Sequence, residues 1–254
     1  MFQRHSFLWH YLWVAPDLLF GVLAIILWKK GWHKKLRGFF FYAGFQAIQC
    51  AVLFPLDHVE GISGRTYWRV YLASELLEAV VVFVLISDLF ADVFGSYAAL
   101  ARVGKLLIRW AGGLLVIVAT VVTAFAPIDR RFWTYGAVNV VQEAMYIIVS
   151  GLMLLLFASA AYFSLAWKRT TFGIALGLGI TGCVHLATWG LGANGLFKGS
   201  TFLDMVDMAT THVVVLMWFY YLLVPARVVA RTEGAPLDNN LAVWNRELER
   251  LLQQ

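Results

Sequence analysis

The apolar positions of this chain fall into seven runs separated by short polar stretches, covering residues 7–28, 38–55, 67–94, 107–126, 133–167, 172–191 and 201–224. A helix needs about 20 predominantly apolar residues to cross the hydrocarbon core of a bilayer. The pattern therefore predicts an all-α membrane protein, a seven-transmembrane-helix bundle. Several run ends carry tryptophan, among them Trp9, Trp28, Trp68, Trp133, Trp167 and Trp189, as expected where a helix meets the membrane interface. Beyond Pro225 the polarity changes. A linker at 231–236 leads to a stretch in which Leu241, Trp244, Leu248 and Leu251 recur at helical spacing, which predicts a C-terminal amphipathic helix over 237–254. Asp238 is placed to cap it. The expected organisation is a seven-helix domain over 1–230, the linker, and the tail helix.

Polar residues break the apolar pattern most sharply in the third run, YWRVYLASELLEAVVVFVLISDLFADVF, where Glu75 and Glu78 stand one helical turn apart. Each carboxylate placed mid-helix costs about 2.5–3.5 kcal/mol to insert. Counting inward at a rise of about 1.5 Å per residue puts the two at roughly 12 and 17 Å from the start of their run. The same count brings Asp17, Gln46, Gln49, Asn139, Gln142, Glu143, His185, Asp207 and His212 to roughly 9–16 Å from that side. Six of the seven runs thus contribute to one polar layer. The fourth offers only Thr120 and Thr123 and is expected at the periphery. Tyr42, Gln46 and Gln49 share one helical face, as do Tyr71, Glu75 and Glu78, and as do Asn139, Gln142, Glu143 and Tyr146, so these stripes are expected to face the interior. Asp207 and His212 are about 140° apart around their helix, so only one of them is expected in the layer.

Composition agrees: 61% of the 254 residues are hydrophobic and 14% charged, against about 25% charged in an average soluble domain. The net charge of +5 does not point to nucleic acid, because the basic residues occupy short loops. Fourteen of the 20 lysines and arginines fall in the first, third and fifth loops and the tail. By the positive-inside rule this predicts the N-terminus outside and the C-terminus cytoplasmic. The first run is followed by KKGWHKKLRG rather than a cleavage site, so it is expected to be a retained helix. Cys50 and Cys183 lie within apolar runs and imply no disulfide framework. In the sixth run Gly173, Gly177, Gly179 and Gly182 have the spacing that lets membrane helices approach closely.

Several chemistries fit the layer. Glu75, Glu78, Gln142, Glu143, His185, Asp207, Gln46, Gln49 and Asp17 could form an outward-opening ligand pocket for a small polar or cationic ligand, with the tail helix as output. Glu75, Glu78, Glu143, His185 and His212 are also ligand types for a metal, and two histidines could hold a haem, though the Glu-x-x-His pairs of di-iron bundles are missing. Buried acids continuing to Asp88 and Asp92 could move protons. A hydrogen-bonded network that only joins helices is the plainest alternative. The tail stripe, with Arg246, Glu247, Glu249 and Arg250 opposite, suits docking on the bundle, a homo-oligomer or a partner helix.

The layout resembles that of rhodopsin-like seven-helix proteins, but the last run, TFLDMVDMATTHVVVLMWFYYLLV, has no lysine, which excludes a retinal Schiff base. The Asp-Arg-Tyr and Asn-Pro-x-x-Tyr motifs of animal G-protein-coupled receptors are missing, as is the His-x-x-x-His of zinc-dependent seven-helix hydrolases. The FGIALGLG segment, the WFYYLLVP segment and the pattern around Trp244, Asn245 and Leu248 resemble a group of bacterial seven-helix membrane proteins without assigned activity. That resemblance implies the architecture only; the expected place is the bacterial cytoplasmic (inner) membrane.

Overall fold

The computed structural model describes residues 6–59, 62–95, 133–163, 165, 167–193 and 201–224, with isolated positions between 102 and 121. It does not describe the side chains of 133–137, 139 and 192–193. The tail helix expected over 237–254, its linker, and most of the fourth run at 107–126 lie outside the described residues.

Six long helices account for nearly all of what is described: α1 (Phe7–Lys29), α2 (Arg37–His58), α3 (Gly64–Val93), α4 (Trp133–Tyr162), α5 (Arg169–Ala193) and α6 (Thr201–Leu223). Five are long and apolar enough to cross a membrane. The exception is α3, which carries Glu75, Glu78, Asp88 and Asp92. Exposure is inverted relative to a soluble bundle: Leu18, Leu77, Val80, Leu154 and Val213 are each more than half exposed while Glu75 and Glu78 are buried. Apolar side chains turned outward and carboxylates turned inward fit a lipid surround. The protein is a helical integral membrane protein.

Local signals set the helix ends. Ser6 caps α1 by accepting the Trp9 N–H at 3.2 Å, and Ser63 caps α3 by accepting the Thr66 N–H at 3.2 Å. Gly31, at φ 69°, ends α1 in the left-handed conformation and feeds the 3₁₀ turn Trp32–Lys34. The fifth apolar run is expected to be helical to residue 167, but α4 stops at Tyr162. Beyond it, among the described residues, the Trp167 ring lies 5.3 Å from that of Phe157 and 5.6 Å from that of Phe172. Hydrophobicity there reports burial in a connection rather than helix.

The helices touch in the order α1, α2, α3, α4, α5, α6 and back to α1, closing a ring in which α3 also meets α5. Matched contacts give the directions. Trp13 with Phe54 and Trp28 with Phe40 run α1 against α2. Gln46 with Glu78 and Gly38 with Asp88 run α2 against α3. Tyr146 with His185 and Phe157 with Phe172 run α4 against α5. Thr188 with Asp207 and Gly173 with Tyr221 run α5 against α6. Since α3 and α4 both end beside the start of α5, they run parallel to each other.

The ring's centre is aromatic and aliphatic. Trp218 of α6 is 1% exposed, and its ring lies 5.1–6.0 Å from those of Phe20, Phe39 and Tyr42. Its indole N–H donates to the Gly173 carbonyl at 3.0 Å. That bond needs α5 and α6 close together, and Gly173 and Gly177 permit it: a Cβ on either would overlap the rings of Tyr221 and Trp218 respectively.

Candidate functional site

The polar layer exists as a belt that crosses every interface around the ring from α1 to α6. Between α1 and α2, the Cys50 thiol lies near Asp17, one residue after Pro16. That proline removes a rung of the α1 ladder at the same depth. Between α2 and α3, the Gln46 side-chain amide donates to Glu78 at 2.8 Å, and Gln49 also reaches Glu78. Gln49 further donates to the Ser74 hydroxyl at 3.1 Å, which in turn donates to the Tyr71 carbonyl at 2.7 Å.

Between α3 and α4, Gln142 donates to the Tyr71 hydroxyl at 3.0 Å, and both Tyr71 and Gln142 reach Glu75. Between α4 and α5, the rings of Tyr146 and His185 stack at 4.2 Å. Between α5 and α6, the Thr188 hydroxyl lies 2.9 and 3.0 Å from the Asp207 carboxylate oxygens, and His185 Nδ1 is 3.9 Å from Asp207. His185 Nδ1 itself pairs with the Thr181 carbonyl at 2.9 Å, so that nitrogen carries the proton.

Glu75 is 3% and Glu78 9% exposed; Gln46 donates to Glu78, and the other polar groups beside the two acids among the described residues, Gln49, Tyr71 and Gln142, are neutral. No lysine or arginine among the described residues forms an ion pair with either. Buried carboxylates are ordinarily matched by a cation or a metal. Here two of them stand one turn apart on α3 with only amide and phenol groups around them, which makes the centre of the belt a region of strongly negative potential when ionised.

Of the residues expected in the layer, Asp17, Gln46, Gln49, Glu75, Glu78, Gln142, His185 and Asp207 are joined in this belt. Glu143 is half-buried, and among the described residues it makes no hydrogen bond or ion pair. Asn139 has no described side chain. His212 turns away from Asp207: its ring sits 5.6 Å from that of Tyr11 on α1, and its Nδ1 is buried without a partner among the described residues. Among the described residues no three His, Cys, Asp or Glu side chains come together to hold a metal ion. Glu75, Glu78, Glu143, His185 and His212 are divided among different contacts. Tyr71 lies on the stripe expected to face the interior, whereas sequence reasoning missed Ser74, Cys50 and Thr188 as belt members. Their hydroxyls and thiol are ordinary in membrane helices, and only the packing reveals them.

The described residues also enclose a cavity of about 550 Å³, at the other end of the bundle, between the α1–α2 turn and α2, α3 and α5.

The chain matches no protein-family model, no curated protein and no solved structure with which it was compared.

Proposed function

We propose that this is a receptor- or sensor-like protein of the bacterial inner membrane, whose small cationic or hydroxyl-rich ligand is taken by the belt at Glu75 and Glu78. The observation that carries the reading is the belt itself: it touches every neighbouring helix pair from α1 to α6, and among the described residues its two central acids have only neutral polar neighbours. A cation bound there would draw both carboxylates toward itself and away from Gln46, Gln49, Tyr71 and Gln142. Those four residues sit on α2, α3 and α4, so the change would be transmitted as altered helix packing. The seven-span count is supported by the parallel run of α3 and α4, which requires the chain between them to return across the bundle, and the N-terminus outside rests on the distribution of lysines and arginines among the loops. Helical backbone at Arg102, Gly104, Leu106, Arg109 and Trp110 agrees, and Gly104 lies against Phe90 of α3, as a helix on the outside of the ring would. The tail helix at 237–254 is then the cytoplasmic output.

The test is thermal unfolding of the purified protein in nanodiscs, read by tryptophan fluorescence, with methylamine, choline, spermidine and inositol as probes. For a protein of this size each kcal/mol of binding-linked stabilisation raises the midpoint by about 2–4 °C. At least one probe is expected to raise it, and Glu75→Gln with Glu78→Gln to abolish the rise while the variant still unfolds cooperatively. A panel without effect, or a rise kept by the double variant, would overturn the reading.

A further inference from the structure

We propose that the 550 Å³ cavity at the lysine-bearing end of the bundle binds the headgroup of a zwitterionic aminophospholipid, phosphatidylethanolamine, from the membrane leaflet on that side. The volume falls in the range of small-molecule sites, about 300–1,000 Å³. Its walls are largely apolar, formed by Leu36, Phe39, Leu85, Leu89 and Ile174, with Trp32 at the α1–α2 turn. Its polar groups are two carboxylates, Asp88 and Asp92, two ammonium groups, Lys35 and Lys168, and the hydroxyls of Thr170 and Thr171.

These charges are not all spent on one another. Asp92 is fully engaged, accepting from Lys168 through one oxygen and from the Thr171 hydroxyl through the other. Asp88 is different. Its Oδ2 accepts the Gly38 N–H at 2.9 Å, a bond to a neutral donor, and among the described residues no cation pairs with it. Lys35 likewise has no acidic partner among the described residues, although it lines the same cavity. Asp88 and Lys35 are both exposed at the mouth of this apolar cavity without a counter-charge among the described residues, which suits a guest with an ammonium and an anionic group on an apolar body. A free amino acid or a phosphorylated amino alcohol has the charged part of that description. An ethanolamine phospholipid has all of it, with its ammonium set against Asp88, its phosphate against Lys35, and its glycerol and first methylenes on Leu85, Leu89 and Ile174. The position favours the lipid, because the cavity lies where α3 ends and α5 begins, at the membrane edge, beside the interfacial Trp32.

Gly38 is part of the construction. A Cβ there would come 2.8 Å from Asp88 Oδ2 and 2.9 Å from the Leu85 Cα, so the close approach of α2 to α3 holds Asp88 in place.

Native mass spectrometry of the full chain, released from nanodiscs of mixed phosphatidylethanolamine and phosphatidylglycerol, counts retained lipids. The wild type is expected to retain one phosphatidylethanolamine in preference to phosphatidylglycerol. Asp88→Asn keeps an oxygen for the Gly38 N–H and removes only the charge, and Lys35→Gln changes an exposed side chain, so both variants are expected to fold. Each should lower the retained fraction about tenfold, as the loss of one charge-assisted contact does. Equal retention of the two lipids, or unchanged retention in both variants, would overturn the proposal. So would stabilisation of the protein by soluble phosphoethanolamine without any lipid preference, which would point to a metabolite instead. Retention unaffected by Glu75→Gln with Glu78→Gln is expected, since the belt lies deeper.

Discussion

Removing Gln46 tests how much the belt contributes to holding α2 on α3. Its amide donates to Glu78 at 2.8 Å and also reaches the Tyr42 hydroxyl. Gln46→Ala therefore takes a donor from a carboxylate that is 9% exposed and removes the side chain beyond Cβ, leaving a void, while Glu78→Ala removes the acceptor. A double-mutant cycle cancels the void and isolates the bond. Interhelical hydrogen bonds in membrane bundles average about 0.6 kcal/mol and reach about 1.7. With a carboxylate acceptor, good length and burial, the coupling between Gln46 and Glu78 should fall at the upper end, about 1–1.7 kcal/mol. The assay is SDS-induced unfolding of protein refolded in mixed micelles, followed by tryptophan fluorescence for the wild type, both single variants and the double. A coupling below about 0.4 kcal/mol, the scatter expected of independent sites, would refute the reasoning and reduce the belt to incidental contacts.

Other consequences follow from packing and topology. Gly177→Ala should destabilise by at least about 1–3 kcal/mol, because its Cβ would meet the buried Trp218 ring. Gly44→Ala on α2, where nothing lies within 4 Å of the added Cβ, should be neutral or stabilise by up to about 1 kcal/mol; the same unfolding assay reads both. Trp218→Phe should cost about 1 kcal/mol through loss of the bond to the Gly173 carbonyl. For orientation, Ser6→Cys should react with a membrane-impermeant maleimide in intact cells and Lys34→Cys only after lysis, with endogenous Cys50 and Cys183 replaced by alanine. The opposite pattern would invert the bundle.

Much of the fold is legible in the sequence because the membrane makes hydrophobicity an almost direct reading of helix position. The spacing of Gly173 and Gly177 announces a close contact, while the caps Ser6 and Ser63 emerge only with the structure. The reading overextends α4, where Trp167 is apolar because it packs against Phe157 and Phe172 and not because the helix continues. For the site, depth counting places Asp17, Gln46, Glu75, Glu78, Gln142, His185 and Asp207 at one level, since rise per residue fixes depth whatever the packing. Rotation about each helix axis was less accessible. His212 has a suitable depth yet faces Tyr11, and Glu143 shares a stripe with Gln142 without joining its hydrogen bonds. The cavity at the opposite end could not be foreseen either. Asp88 and Asp92 look alike in sequence, four residues apart near a helix end, and only the fold shows that Lys168 and Thr171 occupy one and leave the other to Gly38.

The most direct test of the central claim, that Glu75 and Glu78 are the groups a ligand meets, is infrared difference spectroscopy of the protein in nanodiscs, recorded before and after addition of whichever probe raises its unfolding midpoint. Binding is expected to change the carboxyl and carboxylate bands, and these changes are expected to vanish from the spectrum of Glu75→Gln with Glu78→Gln. Binding without any carboxyl signal, or with the same signal in the double variant, would contradict it.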